Sequence, residues 1–121
     1  MTILKKIFFF TLIVFGTSSC FQEFQDLRQG EIYLKEAKYK EAISLFNKHI
    51  SKKSKQLNSI AHKDYAVSTL TNLDIDKTLR YKNAKILLRE ALDLDPANQS
   101  AKALYRMLSK TMETELGELA E

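Results

Sequence analysis

The sequence predicts an all-α fold of five helices without a sheet, and three observations predict it. Tyr39, Ala42, Phe46 and Ile50 recur at steps of three and four, which places them on one helical face. The same kind of signature returns downstream as Tyr81, Ala84, Leu88 and Ala91, each 42 residues after Tyr39, Ala42, Phe46 and His49. Finally, Ala101, Leu104, Leu108, Met112, Leu116 and Leu119 form a heptad-like stripe near the end of the chain.

The first 19 residues read as a segment apart from this domain. Lys5 and Lys6 precede an apolar run from Ile7 to Phe15 broken only by Thr11, and Gly16, Thr17, Ser18 and Ser19 follow. Basic, apolar, then small is the order of a secretory signal. The run falls short of the ~20 apolar residues a membrane-crossing helix needs. Cys20, the only cysteine of the 121 residues, comes directly afterwards and has no internal partner for a disulfide.

This arrangement resembles a bacterial lipoprotein signal, in which the cysteine is diacylated and becomes the new N-terminus. Thr17 departs from that pattern, where leucine is usual, and Thr17 with Ser19 also suits an ordinary export signal with an unlipidated Cys20. The resemblance implies a signal peptide over 1–19 and a mature domain over 20–121, carrying covalent lipid on Cys20 and no other cofactor. Two or more acyl chains give stable anchoring at ~0.8 kcal/mol per buried CH₂. Phe21 after the cysteine, in place of an aspartate, resembles outer-membrane rather than retained lipoproteins and implies a periplasm-facing domain held close to the bilayer.

Phe24, Leu27, Leu34 and Ala37 form the apolar stripe of the first helix, with Gly30 in its middle. A helical glycine costs about 1 kcal/mol relative to alanine, so close approach of a partner helix is expected there, with Ala42 as the matching small surface. Leu57, Ile60, Ala61, Tyr65, Leu70 and Leu73 predict a third helix over 57–73. The polar break at 74–77 precedes a fourth helix, 81–94, which Pro96 ends.

From Glu23 to Leu108 the chain resembles the tetratricopeptide repeat, on Gly30, Tyr33, Tyr39, Ala42 and Phe46, then on Tyr81, Ala84, Leu88, Ala91 and Pro96. His49 stands where a second alanine belongs and Ser54 where the first proline belongs. The spacing of 42 exceeds the ~34-residue period by about eight, an excess expected near the polar break. The resemblance implies about two helical-hairpin units, with the last stripe as a helix capping the array. It further implies a concave, partner-binding side lined by Phe24, Leu27, Glu31 and Leu34. With Ala66 at the small position of the second unit, Ile60, Lys63, Val67 and Leu70 continue it. The readings for these eight residues are a groove for an amphipathic client helix, plain core packing, or a groove filled by the stripe from Leu104 to Leu119.

Without Lys5 and Lys6, 17 lysines and arginines face 15 acids, a net charge of +2. Lys48, His49, Lys52, Lys53 and Lys55 cluster at the end of the first hairpin. There they are expected to complement a helix C-terminus, or, as the alternative, to meet anionic headgroups beside the anchor. Nucleic acid is not expected, because aromatic residues do not interleave the basic ones.

Catalytic signatures are missing from the sequence: there is no HExxH, CxxC, phosphate-binding glycine loop or serine elbow. His49 and His62 fall on different predicted helices. Asp74 and Asp76 lack the glycine and glutamate of a calcium loop. The expectation is a protein without enzymatic activity or a metal. It would act as an adaptor or assembly factor of the bacterial envelope, pilotin-like or a scaffold, holding a protein or peptide client and tethered to the outer membrane. The alternatives are a self-associating structural lipoprotein, forming a homo-oligomer, and a surface lipoprotein that binds an external component.

Overall fold

A computed structural model of the chain describes residues 20–117, and the export signal expected over 1–19 lies outside them. The described residues form five helices and no strand: α1 over residues 20–35, α2 (Tyr39–Phe46), α3 (Lys52–Thr71), α4 (Lys77–Leu94) and α5 (Gln99–Leu116). Successive helices pack on one another, α2 on α3, α3 most extensively on α4, and α4 on α5. The all-α fold expected from the apolar periodicities is the fold observed.

The helix starts are set by side-chain caps. Ser51 Oγ accepts from the Ser54 amide at 3.1 Å, Asp76 from Thr78 and Leu79, and Asn98 from Ala101 at 3.1 Å. Each satisfies an amide that has no intrahelical partner. With Ser51 as its cap, α3 therefore opens at Lys52, five residues before Leu57, where the apolar period begins. The turn after α1 rests on Ala37, a non-glycine residue at φ 59, with Lys38 N–H donating to Tyr33 O at 2.8 Å. Ala37 is thus an exposed left-handed residue closing the helix, and the last member of the expected α1 stripe belongs to a turn. Loop 72–76 between α3 and α4 is short, and the helices beside it are long: α3 has 20 residues and α4 has 18.

Two apolar clusters form the core. Leu27 of α1, Ala42 and Phe46 of α2 and Ala61 of α3 make the first, with Tyr33, Leu34, Ile43 and Leu57 around them. Ala66, Ala84, Leu88, Ala91, Ala101, Leu108 and Met112 make the second, flanked by Leu70, Tyr81, Leu104 and Leu116. Gly30 is buried, and the ring of Phe46 takes up the space beside it, one turn beyond Ala42, the neighbour expected there. Leu104, Leu108, Met112 and Leu116 pack on the second cluster; Leu119 lies outside the described residues.

Buried hydroxyls join the helices. Ser54 Oγ donates to Phe46 O at 2.8 Å, and Ser59 Oγ donates to Ala91 O at 2.6 Å while accepting from Asn98 Nδ2 at 2.9 Å. Each carbonyl also accepts a backbone amide, Phe46 O from His49 N–H at 3.2 Å and Ala91 O from Asp95 N–H at 3.0 Å, so the serines add a second donor at these helix ends. Ser54, at the position where the repeat pattern has proline, is fully buried and helps end α2 by this bond.

Candidate functional site

The pole of the molecule at Cys20 is assembled from the start of α1 and the α2–α3 connection. Cys20 is exposed in the first described turn of α1. It borders a depression of about 530 Å³ shared with Glu23, Phe24, Leu27, Arg28 and Glu31 of α1 and with Ser51 and Lys53. A second depression joins Cys20 and Glu23 to Lys48, His49, Ile50 and Ser51.

A side-chain hydrogen bond fixes this connection to α1. His49 Nε2 lies 2.8 Å from Asp26 Oδ2, and Gln22 Nε2 donates to Asp26 Oδ1 at 2.8 Å. The hydrogen bond from His49 holds the Asp26 carboxyl below the usual carboxylate range, more than offsetting the opposing effect of its burial. One oxygen of Glu23 is buried without a hydrogen-bond partner. His62, by contrast, belongs to the interior: Nδ1 lies 2.8 Å from Asn58 O and Nε2 lies 3.0 Å from Glu90 Oε2. Among the described residues no three histidines, cysteines or acids are grouped to hold a metal.

The basic cluster sits differently from the expectation. Lys48 follows the end of α2, but Lys52, Lys53 and Lys55 stand in the first turn of α3, which has no acidic residue. A cation there opposes the macrodipole, an effect of about 0.3–1 kcal/mol per charge. Complementing a helix C-terminus therefore does not explain these three lysines, because the Ser51 cap makes their segment a helix start.

The eight expected groove residues divide. Leu27 and Leu34 pack in the first core cluster and Leu70 against the second. Phe24 (61% exposed), Ile60 (41%) and Val67 (39%) remain open to solvent. Glu31 is exposed, and half-buried Lys63 pairs with Asp64 at 2.5 Å. Phe24, Leu27 and Glu31 meet at the Cys20 depression, whose walls do not include Ile60, Lys63, Val67 or Leu70. The stripe of α5 leaves Phe24, Ile60 and Val67 uncovered. The residues not anticipated at this pole are Arg28, Ile50 and Asp26. Periodicity alone does not find them, because the pairing of Asp26 with His49 spans 23 positions.

No helix among the described residues is long and apolar enough to cross a membrane. No family model matches the chain, and no curated protein or solved structure matches it.

Proposed function

We propose that the chain is an exported bacterial lipoprotein, anchored through lipid on Cys20, whose short tetratricopeptide-like array acts as a protein-binding adaptor or assembly factor of the envelope. The observation that carries this reading is the place of the single cysteine. It is exposed, follows a basic, apolar and small-residue leader, and directly adjoins the folded helices. Glu23 adds support, since it stands three residues after Cys20, the spacing of a capping box. Its unpartnered oxygen suits the N–H of a chain that begins at Cys20. The outer membrane, with the domain facing the periplasm, is the location that Phe21 favours.

The repeat reading draws support from matched burial. Ala42, Phe46, Ala84 and Leu88, paired at the spacing of 42, are all fully buried, and Tyr39 and Tyr81 are both half-buried. Within that reading, Ile60 and Val67 on α3 form the apolar part of the client face, and Lys63 adds a charge. Purification of the lipidated protein from detergent-solubilised membranes, beside Val67→Glu, tests the adaptor role. A defined partner that copurifies with the native chain and is lost from the folded variant supports it; the same yield from both contradicts it. Exposed Leu79, Ile86 and Met107 favour a second reading, self-association without a foreign client. Sedimentation of the detergent-solubilised protein as a monomer at all concentrations excludes that reading.

A further inference from the structure

We propose that the pole around Cys20 lies against an anionic bilayer surface, with Phe21, Phe24 and Ile50 seated at headgroup level and Arg28, Lys48 and Lys53 against lipid phosphates. This rests on Cys20 being the lipid attachment point. Its first support is apolar exposure beside that point: Phe21 is 60% exposed, Phe24 61% and Ile50 88%. Phe24 of α1 and Ile50 of the α2–α3 connection each border a depression that Cys20 also lines, and Phe21 adjoins Phe24 on α1. Aromatic and aliphatic side chains with basic neighbours suit the boundary between headgroups and acyl chains.

Charge is the second support. The lysines at the start of α3 oppose their own helix dipole, and Arg28, Lys48 and Lys53 form no ion pair among the described residues. Lys48 acts by charge on Asp26 without an ion-pair contact, and an anionic surface would supply the direct counter-ion that Arg28, Lys48 and Lys53 lack within the fold. The acids of the pole do not reverse this. Asp26 is engaged by His49 and Gln22, and Glu23 has one oxygen turned inward. Glu31 shares the Cys20 depression with Arg28 and Lys53, but of its α1 residues it stands farthest from Cys20, about 16 Å along the helix at 1.5 Å per residue. The third support is the tether. Cys20 itself is in the first described turn of α1, so a lipid there leaves no linker by which the domain could stand away from the bilayer.

The chain has no tryptophan, so a single introduced one reports its own surroundings. Phe24→Trp and Ile50→Trp would be placed at the pole. Leu73→Trp, at an 82%-exposed site beyond the far end of α3, serves as the reference, about 30 Å along that helix. Each full-length protein, processed and lipidated in cells and with unchanged helical circular dichroism, is reconstituted into vesicles of phosphatidylcholine and phosphatidylglycerol with bromine-labelled acyl chains. Flotation with the vesicles reads the anchor, and fluorescence reads the docking. The expected result is blue-shifted emission from positions 24 and 50, quenched severalfold more than from 73, with quenching reduced by Lys48→Glu together with Lys53→Glu. Quenching at 24 and 50 equal to that at 73 in protein that floats overturns the docking and leaves the anchor standing. Protein that does not float refutes the anchor and the docking with it. A blue shift without quenching that grows with protein concentration assigns the face to a second copy and also overturns the proposal.

Discussion

The ring of Phe46 occupies the place where residue 30 would carry a side chain. A Cβ built on Gly30 would lie 2.3 Å from Phe46 Cε1 and 2.6 Å from Cζ. Phe46 is fully buried among Leu27, Ala42 and Ala61, so its ring has no free space to turn into. Gly30→Ala gains about 1 kcal/mol of helix propensity, but overpacking costs about 1–3 kcal/mol. Chemical denaturation should therefore show a net loss of stability for Gly30→Ala. Phe46→Leu in the same chain should shrink that loss, even though Phe46→Leu is itself destabilising. A Gly30→Ala variant more stable than the native chain would contradict the close approach.

Leu34 and Val67 were expected to share one groove, and their surroundings now separate them. Leu34 is half-buried against the first core cluster, whereas Val67 is 39% exposed. Leu34→Glu should cost about 3 kcal/mol or more, because an unpaired charge enters apolar surroundings. Val67→Glu should stay within about 0.5 kcal/mol, as exposed substitutions do. Thermal unfolding followed by circular dichroism checks both. Loss of the cooperative transition in Val67→Glu would make that residue core and remove it from the client face.

What the sequence discloses, and what it hides, follows from the range of each interaction. The stripes through Ala42, Phe46, Ala84 and Leu88 and the stop at Pro96 are local, period-driven features realised as helix faces or ends, except that Ile50, expected on the face of Ala42 and Phe46, lies beyond the end of α2 and is 88% exposed. The α3 start was hidden because Lys52, Lys53 and Lys55 carry no apolar period, although Ser51 three residues before Ser54 was the signal for it. Ala37 looked like one more apolar helix position, since alanine gives no sign of a left-handed turn. For Gly30, spacing gives the face but not the side chain that fills the space beside it, which is Phe46, one turn beyond Ala42. The Cys20 pole was half legible. Cys20, Phe24 and the lysines stood out singly, but their assembly depends on the tertiary contact of His49 with Asp26.

Ser59 ties three helices with one hydroxyl, through Ala91 O at the end of α4 and Asn98 Nδ2 before α5. It is fully buried, so Ser59→Ala leaves the Asn98 amide without this partner and removes a donor from the Ala91 carbonyl. The expected loss is about 1–3 kcal/mol, read as a lower urea midpoint at unchanged slope. An unchanged midpoint would contradict the bridging role. Ser100→Ala, at an exposed position, is the control and should have little effect.

Asp26 supplies the pH dependence. Its carboxyl is held below the ordinary range by the bond from His49, so the folded chain binds its proton less readily than the unfolded chain does. Stability from this group is therefore fully present above the unfolded value, about 3.9. It is lost as pH falls from there through the lower folded value. The gap in stability between the native chain and Asp26→Asn should narrow as pH falls below about 4. A gap that widens on acidification would reverse the sign of the pairing.

The anchor on Cys20 is tested most directly by mass spectrometry of the N-terminal peptide from protein extracted out of bacterial membranes. The expected peptide begins at Cys20 and carries diacylglycerol on its sulfur. Replacement by Cys20→Ser should abolish the modification and leave a larger precursor or release the domain into solution. A mature chain that begins at Phe21 or later, or one that retains Cys20 with an unmodified thiol, would contradict the lipoprotein reading.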